Sequence, residues 1–95
     1  FDRIGGFDEG YFMYYEDVDL CLRARQAGFK AYFLPSAKGV HLHPFSDRGD
    51  APDWLSREVR LSQMRYFSKH RPRWEQAVIR ALNRTYFLAR GWTWR

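Results

Sequence analysis

The sequence predicts an α/β fold, on three observations. A helix-length run from Glu16 opens with acids and closes on a glycine. Two short segments, 29–34 and 37–43, are aromatic-rich or alternating and suit strands. Two more helical patterns fill the C-terminal half. At 95 residues, 45% hydrophobic and 19% aromatic, the chain is globular and can bury a modest core in one small domain. It starts at Phe1, directly in a structured-looking segment, and is expected to be a piece of a longer polypeptide.

Residues 1–10 hold three glycines and three acids and read as a loop with tight turns. Gly5-Gly6 permits backbone angles closed to other residues, or a close approach of the main chain to a ligand. Residues 11–15 are expected to be extended or irregular. The first helix starts near Glu16, where acids suit the positive end of the helix dipole. Its packing face is broad, with Val18, Cys21, Leu22 and Arg25 on one side and Leu20, Ala24 and Ala27 beside them. Cys21 is expected as a small buried residue of that helix. Gly28 stops it.

The first strand is closed by Pro35, and in the second Val40 and Leu42 alternate with His41 and His43. Residues 44–53 have turn-forming composition. Asp53 can cap a helix beginning at Trp54, whose apolar stripe is Leu55, Val59, Leu61, Met64 and Phe67 and which ends before Pro72. The last helix spans about 73–90, with a stripe of Trp74, Ala77, Val78, Ala81, Leu82, Thr85 and Ala89, and ends at Gly91.

The chemistry concentrates in the first helix and the aromatic run before it. Tyr11, Phe12, Tyr14 and Tyr15 crowd Glu16, Asp17 and Asp19, and carboxylates are costly beside apolar surface unless paired, solvated or used. Asp17 and Asp19 point about 200° apart on a helix, so one faces a cleft while the other is structural. Arg23, four residues after Asp19, nominates Asp19 as the structural one. Asp17 then reads either as a helix-capping carboxylate or as a proton acceptor in the cleft that Glu16 and the aromatics line.

Ile4-Gly5-Gly6-Phe7-Asp8-Glu9, the aromatic spacer, Glu16-Asp17-Val18-Asp19-Leu20-Cys21-Leu22-Arg23, then Ala27-Gly28-Phe29 and Pro35-x-Ala37 ahead of His41 form an ordered set. That set resembles the family 2 glycosyltransferases, most closely the rhamnosyltransferase-like members that build bacterial surface polysaccharides, over residues 3–46. The resemblance implies a partial GT-A-like fold. Residues 1–50 are its acceptor-side segment and 51–95 a basic, amphipathic helical extension.

It implies Asp17 as the general base that takes the proton of an acceptor hydroxyl, with inversion at the anomeric carbon. Gly5, Gly6, Asp8, Glu9 and Glu16 would shape the acceptor pocket, although Asp8 and Glu9 read equally as loop charges. His41 would sit near a divalent cation, Mg or Mn, as a ligand or as a hydrogen-bonding neighbour of the nucleotide. His43 shares its strand face and can exchange with it. The implied partners are a nucleotide-sugar donor and a saccharide or lipid-linked acceptor. The implied place is the cytoplasm, peripheral at the inner face of the cell membrane. A single cysteine excludes an internal disulfide and fits a reducing compartment.

The family's other half, with its Asp-x-Asp metal motif for the nucleotide, has no counterpart here, since Asp17-Val18-Asp19 belongs to the acceptor motif. The chain alone is therefore expected to bind sugar nucleotide poorly and to turn over nothing. No signal peptide and no run of 18 apolar residues is present.

The net charge of +5 is uneven. Residues 1–68 carry nine Lys and Arg against ten Asp and Glu, and residues 69–95 carry seven against one. A basic amphipathic helix followed by Trp92 and Trp94 reads as a helix packed on a parent domain or as contact with an anionic membrane through residues 73–95. A non-catalytic module docking that helix on a membrane or a partner protein is the alternative function. Nucleic-acid binding lacks any recognisable module and ranks last. His70, between Lys69 and Arg71, is expected as a solvated surface residue.

Overall fold

The computed structural model describes residues 1–42 and 52–92. Most of the expected 44–53 loop, His43, Trp94 and Arg95 lie outside them. A single 3-10 turn, Asp2–Ile4, precedes three helices: α1 (Glu16–Gln26), α2 (Asp53–His70) and α3 (Arg73–Ala89). Among the described residues there is no strand, which corrects the α/β and partial GT-A-like expectation. Residues 29–34 and 37–42 are irregular and exposed. Strand-forming residues make a strand only when a neighbour completes the hydrogen-bond ladder, and no described segment lies alongside to do so.

The helices follow their punctuation. Pro52 and Pro72 stand just before α2 and α3 with φ of −65° and −62°, angles that lead into a helix while the proline lacks an N–H to satisfy. Asp53 is the first residue of α2 and makes no cap bond; its carboxylate instead accepts from Arg90 at 3.2 Å. At the far end of α3, Gly91 turns left-handed (φ 67°), and the Trp92 N–H donates to Phe87 O at 2.9 Å. The indole then packs 5.6 Å from the Phe87 ring, the apolar contact that accompanies such a stop.

α2 is the spine of the molecule. Along one side Ser62 Oγ donates to Met13 O at 2.7 Å, and Tyr66 meets Tyr15, fastening the N-terminal segment. Along another side α2 receives α3: Asn83, buried, donates to Gln63 Oε1 at 3.2 Å, and the Arg60 guanidinium lies 4.5 Å over the Tyr86 ring. Tyr11, Leu55 and Phe87 are the buried apolar side chains, beside buried Asp19, Ser62 and Asn83.

One expectation about packing is corrected. Cys21 is helical but exposed, because its face of α1 opens onto surface hollows. The regular stripe of α3 does not pack on the rest of the chain. Trp74, Val78 and Leu82 are exposed, and α3 meets α2 with the opposite face, through Asn83 and Phe87.

Candidate functional site

The two aspartates of α1 part as their spacing requires. Asp19 is wholly buried. Its Oδ2 accepts from Arg23 Nε at 2.7 Å, and its Oδ1 accepts from Lys69 Nζ at 2.8 Å and from Tyr11 OH at 3.3 Å, with His70 Nε2 at 2.5 Å. Burial opposes its charge, but the hydrogen bonds of Lys69, His70 and Arg23 outweigh that and bring its pKa from 3.8 down to about 2. Burial, then the neighbouring Asp19 charge, pushes the Tyr11 phenol up.

The Arg23 guanidinium also donates to Ile4 O and Gly6 O, both at 2.6 Å, so one side chain ties the glycine turn to α1. Gly5 and Gly6 both have positive φ, 78° and 68°. A Cβ on Gly6 would stand 2.9 Å from the exposed Phe1 ring and displace it, and the left-handed angle is what favours glycine there.

Asp8 belongs to the same electrostatic unit. Lys69 at 2.8 Å and Arg65 at 2.9 Å pair with it, the Gly10 N–H donates to it, and together they hold its carboxyl well below the usual carboxylate range. His70 is only 8% exposed, so the expectation of a solvated surface residue is corrected. A buried carboxylate that needs donors draws it inward.

Asp17 is different. It is exposed, enters no ion pair among the described residues, and accepts only the Val18 N–H, at 2.8 Å. Asp17 borders an open hollow of about 340 Å³ that it lines with Val18, Cys21, Leu22, Arg25 and Tyr66. Tyr66 comes from α2, held between Tyr15 at 5.5 Å and the His70 ring at 5.1 Å. Glu16 is half-buried, and its Oε2 is enclosed with no hydrogen-bond partner. Before the pair, Tyr14 and Tyr15 both adopt left-handed angles, φ 65° and 66°, each costing about 1–3 kcal/mol in a side-chain-bearing residue. This strained turn delivers Glu16 and Asp17 to the start of α1.

The structure thus brings Asp17 to a hollow but does not bring Gly5, Gly6, Asp8, Glu9 or Glu16 to its lining. Glu9 is exposed. His41 stands on an exposed irregular stretch, and no three His, Cys, Asp or Glu side chains gather as a metal site among the described residues. On their own these residues do not fit a divalent cation. Sequence reasoning missed Arg65, Tyr66, Lys69 and His70. Their signal is a polar stripe running from Ser62 at helical period, beside the apolar one, on α2.

Residues of this chain match parts of known enzymes. It is 51% identical over 41 residues to the rhamnosyltransferase WbbL of Escherichia coli K12, covering 43% of this chain and 16% of that one. It is 36% identical over 74 residues to the N-acetylglucosaminyl-diphospho-decaprenol L-rhamnosyltransferase of Mycobacterium tuberculosis, covering 78% of this chain and 24% of that one. The chain therefore spans a quarter or less of the length of these relatives. No family model and no solved structure matches it. Parts of this chain are thus similar to one portion of known rhamnosyltransferases, in agreement with the resemblance expected from the sequence.

Proposed function

We propose that this chain supplies the acceptor-side, proton-accepting portion of an inverting family 2 glycosyltransferase of bacterial surface polysaccharide synthesis. In the complete enzyme, a sugar passes from a nucleotide-sugar donor to a saccharide or lipid-linked saccharide. The relatives, by name, transfer rhamnose, one of them with a diphospho-decaprenol acceptor, and this supports both the sugar and the acceptor class.

One observation carries the reading. Of two aspartates two residues apart, the buried Asp19 is neutralised by Arg23 and Lys69, while Asp17 is held unpaired at the edge of a hollow. A hydroxyl is a poor nucleophile near neutral pH, and a carboxylate within hydrogen-bond reach raises its reactivity as the proton leaves. Asp17 would take that proton while the acceptor oxygen attacks the anomeric carbon from the face opposite the leaving nucleotide. Tyr66 offers a flat apolar wall for a sugar ring, and Arg25 a positive charge at the same rim. Glu16, whose Oε2 is enclosed, would act on the acceptor only where the complete enzyme opens that spot. Gly5, Gly6, Asp8 and Glu9 would act at one remove, by shaping the loop.

A divalent cation, Mg or Mn, would belong to the complete enzyme, with His41 as this chain's candidate contact. The enzyme would work in the cytoplasm, at the inner face of the membrane, with peripheral contact through residues 73–95. The test is Asp17→Asn in the complete enzyme. It should lower kcat at least about a hundredfold with the donor KM little changed. Near-normal turnover would remove Asp17 from the base role.

A further inference from the structure

We infer that the outward face of α3 is a docking surface for an anionic lipid bilayer, with Trp74, Val78, Leu82 and Leu88 entering the interface and Arg73, Arg80 and Arg84 contacting headgroup phosphates. This deepens the membrane contact proposed above, and its test needs neither donor, acceptor nor turnover.

The face is defined by what α3 leaves uncovered. Asn83 and Phe87 are buried against α2, whereas Trp74 (67%), Val78 (50%), Leu82 (60%) and Leu88 (64%) are exposed. Ala77, Ala81, Thr85 and Ala89 fill the space between them and are exposed as well. At 100° per residue all eight positions fall within about 80° of the Trp74 direction. Arg73, Arg80 and Arg84 form a row about 100° to one side. All three are exposed, and none is in an ion pair with a described residue. The sole acid of the helix, Glu75, is already gripped by Arg71 at 2.6 and 2.7 Å.

Charge selects the occupant. A second copy of the chain laid on this face would bring arginine rows together with no free acid on either helix, whereas an anionic surface complements them. The form of contact also follows. No described helix is long and apolar enough to cross a membrane, so α3 lies in the interface plane, with its apolar stripe down and its arginines at headgroup level.

The experiment is co-sedimentation of the 95-residue chain with vesicles of phosphatidylcholine containing phosphatidylglycerol, against phosphatidylcholine alone. The chain should bind the anionic vesicles and be released by salt. Arg80→Gln with Arg84→Gln should weaken partitioning about thirtyfold, at roughly fivefold per basic residue. Val78→Glu with Leu82→Glu should abolish it. All four positions are exposed, and circular dichroism checks that the helices persist. The lipid and salt dependence of the unaltered chain tests the inference even if a variant misfolds. Failure to bind anionic vesicles, binding indifferent to both double variants, or a concentration-dependent dimer dispersed by Val78→Glu with Leu82→Glu would each overturn it. Loss of vesicle binding leaves the Asp17 reading standing, and the reverse holds too.

Discussion

Asp19 shows how much depends on one buried carboxylate. It gathers donors from three separate parts of the chain: Tyr11, Arg23 of α1, and Lys69 with His70 of α2. Asp19→Asn would leave the part-buried Arg23 without its anion and take a shared acceptor from Lys69 and His70, and urea unfolding should register a loss of about 1–3 kcal/mol. The pH dependence has a definite sign. Because the folded-state pKa lies below the ordinary 3.8, at about 2, the stabilisation is complete above about pH 4 and is lost as pH falls toward 2. Wild type should lose about 2 kcal/mol more than Asp19→Asn between pH 5 and pH 2. Equal losses would mean that Asp19 is not the titrating group. The pairing with Arg23 was legible because four residues span one helical turn. The role of His70 was not, because the carboxylate it answers lies 51 residues earlier.

At the scale of elements, the sequence reads well wherever a residue acts through its own backbone. Gly28, Pro72 and Gly91 mark helix ends within a residue or two of where the structure puts them. It reads poorly wherever the outcome needs a neighbour. Residues 29–34 have strand-like side chains, yet a strand is a property of pairs. The stripe of α3 is equally ambiguous, since amphipathicity reveals that a helix has two faces without saying which one another element covers. Here the less regular face won, through Asn83 and Phe87. Phe87→Ala should therefore unfold the chain more easily, by about 3–5 kcal/mol in a denaturant titration. A cost below about 1 kcal/mol would show that the α2–α3 contact contributes little.

The whole molecule is a slab rather than a ball. It measures 44 × 36 × 20 Å, with a radius of gyration of 16.0 Å against about 12 Å for a compact chain of this length. Among the described residues, three buried apolar side chains are few beside the large hydrophobics left exposed. This breadth explains why the landmarks were recognisable while the architecture was not. The motifs occupy single loops, turns and one helix, whereas layers and sheets depend on what lies across the slab. It also gives Cys21 a practical meaning. The only sulfhydryl of the chain sits in the wall shared by the Asp17 hollow and the more apolar one beside it. A maleimide dye should couple there as readily in native buffer as in urea, with no engineered attachment point. The attached fluorophore would then report when either basin fills; shielding of that sulfur in native buffer would mean that the wall is closed.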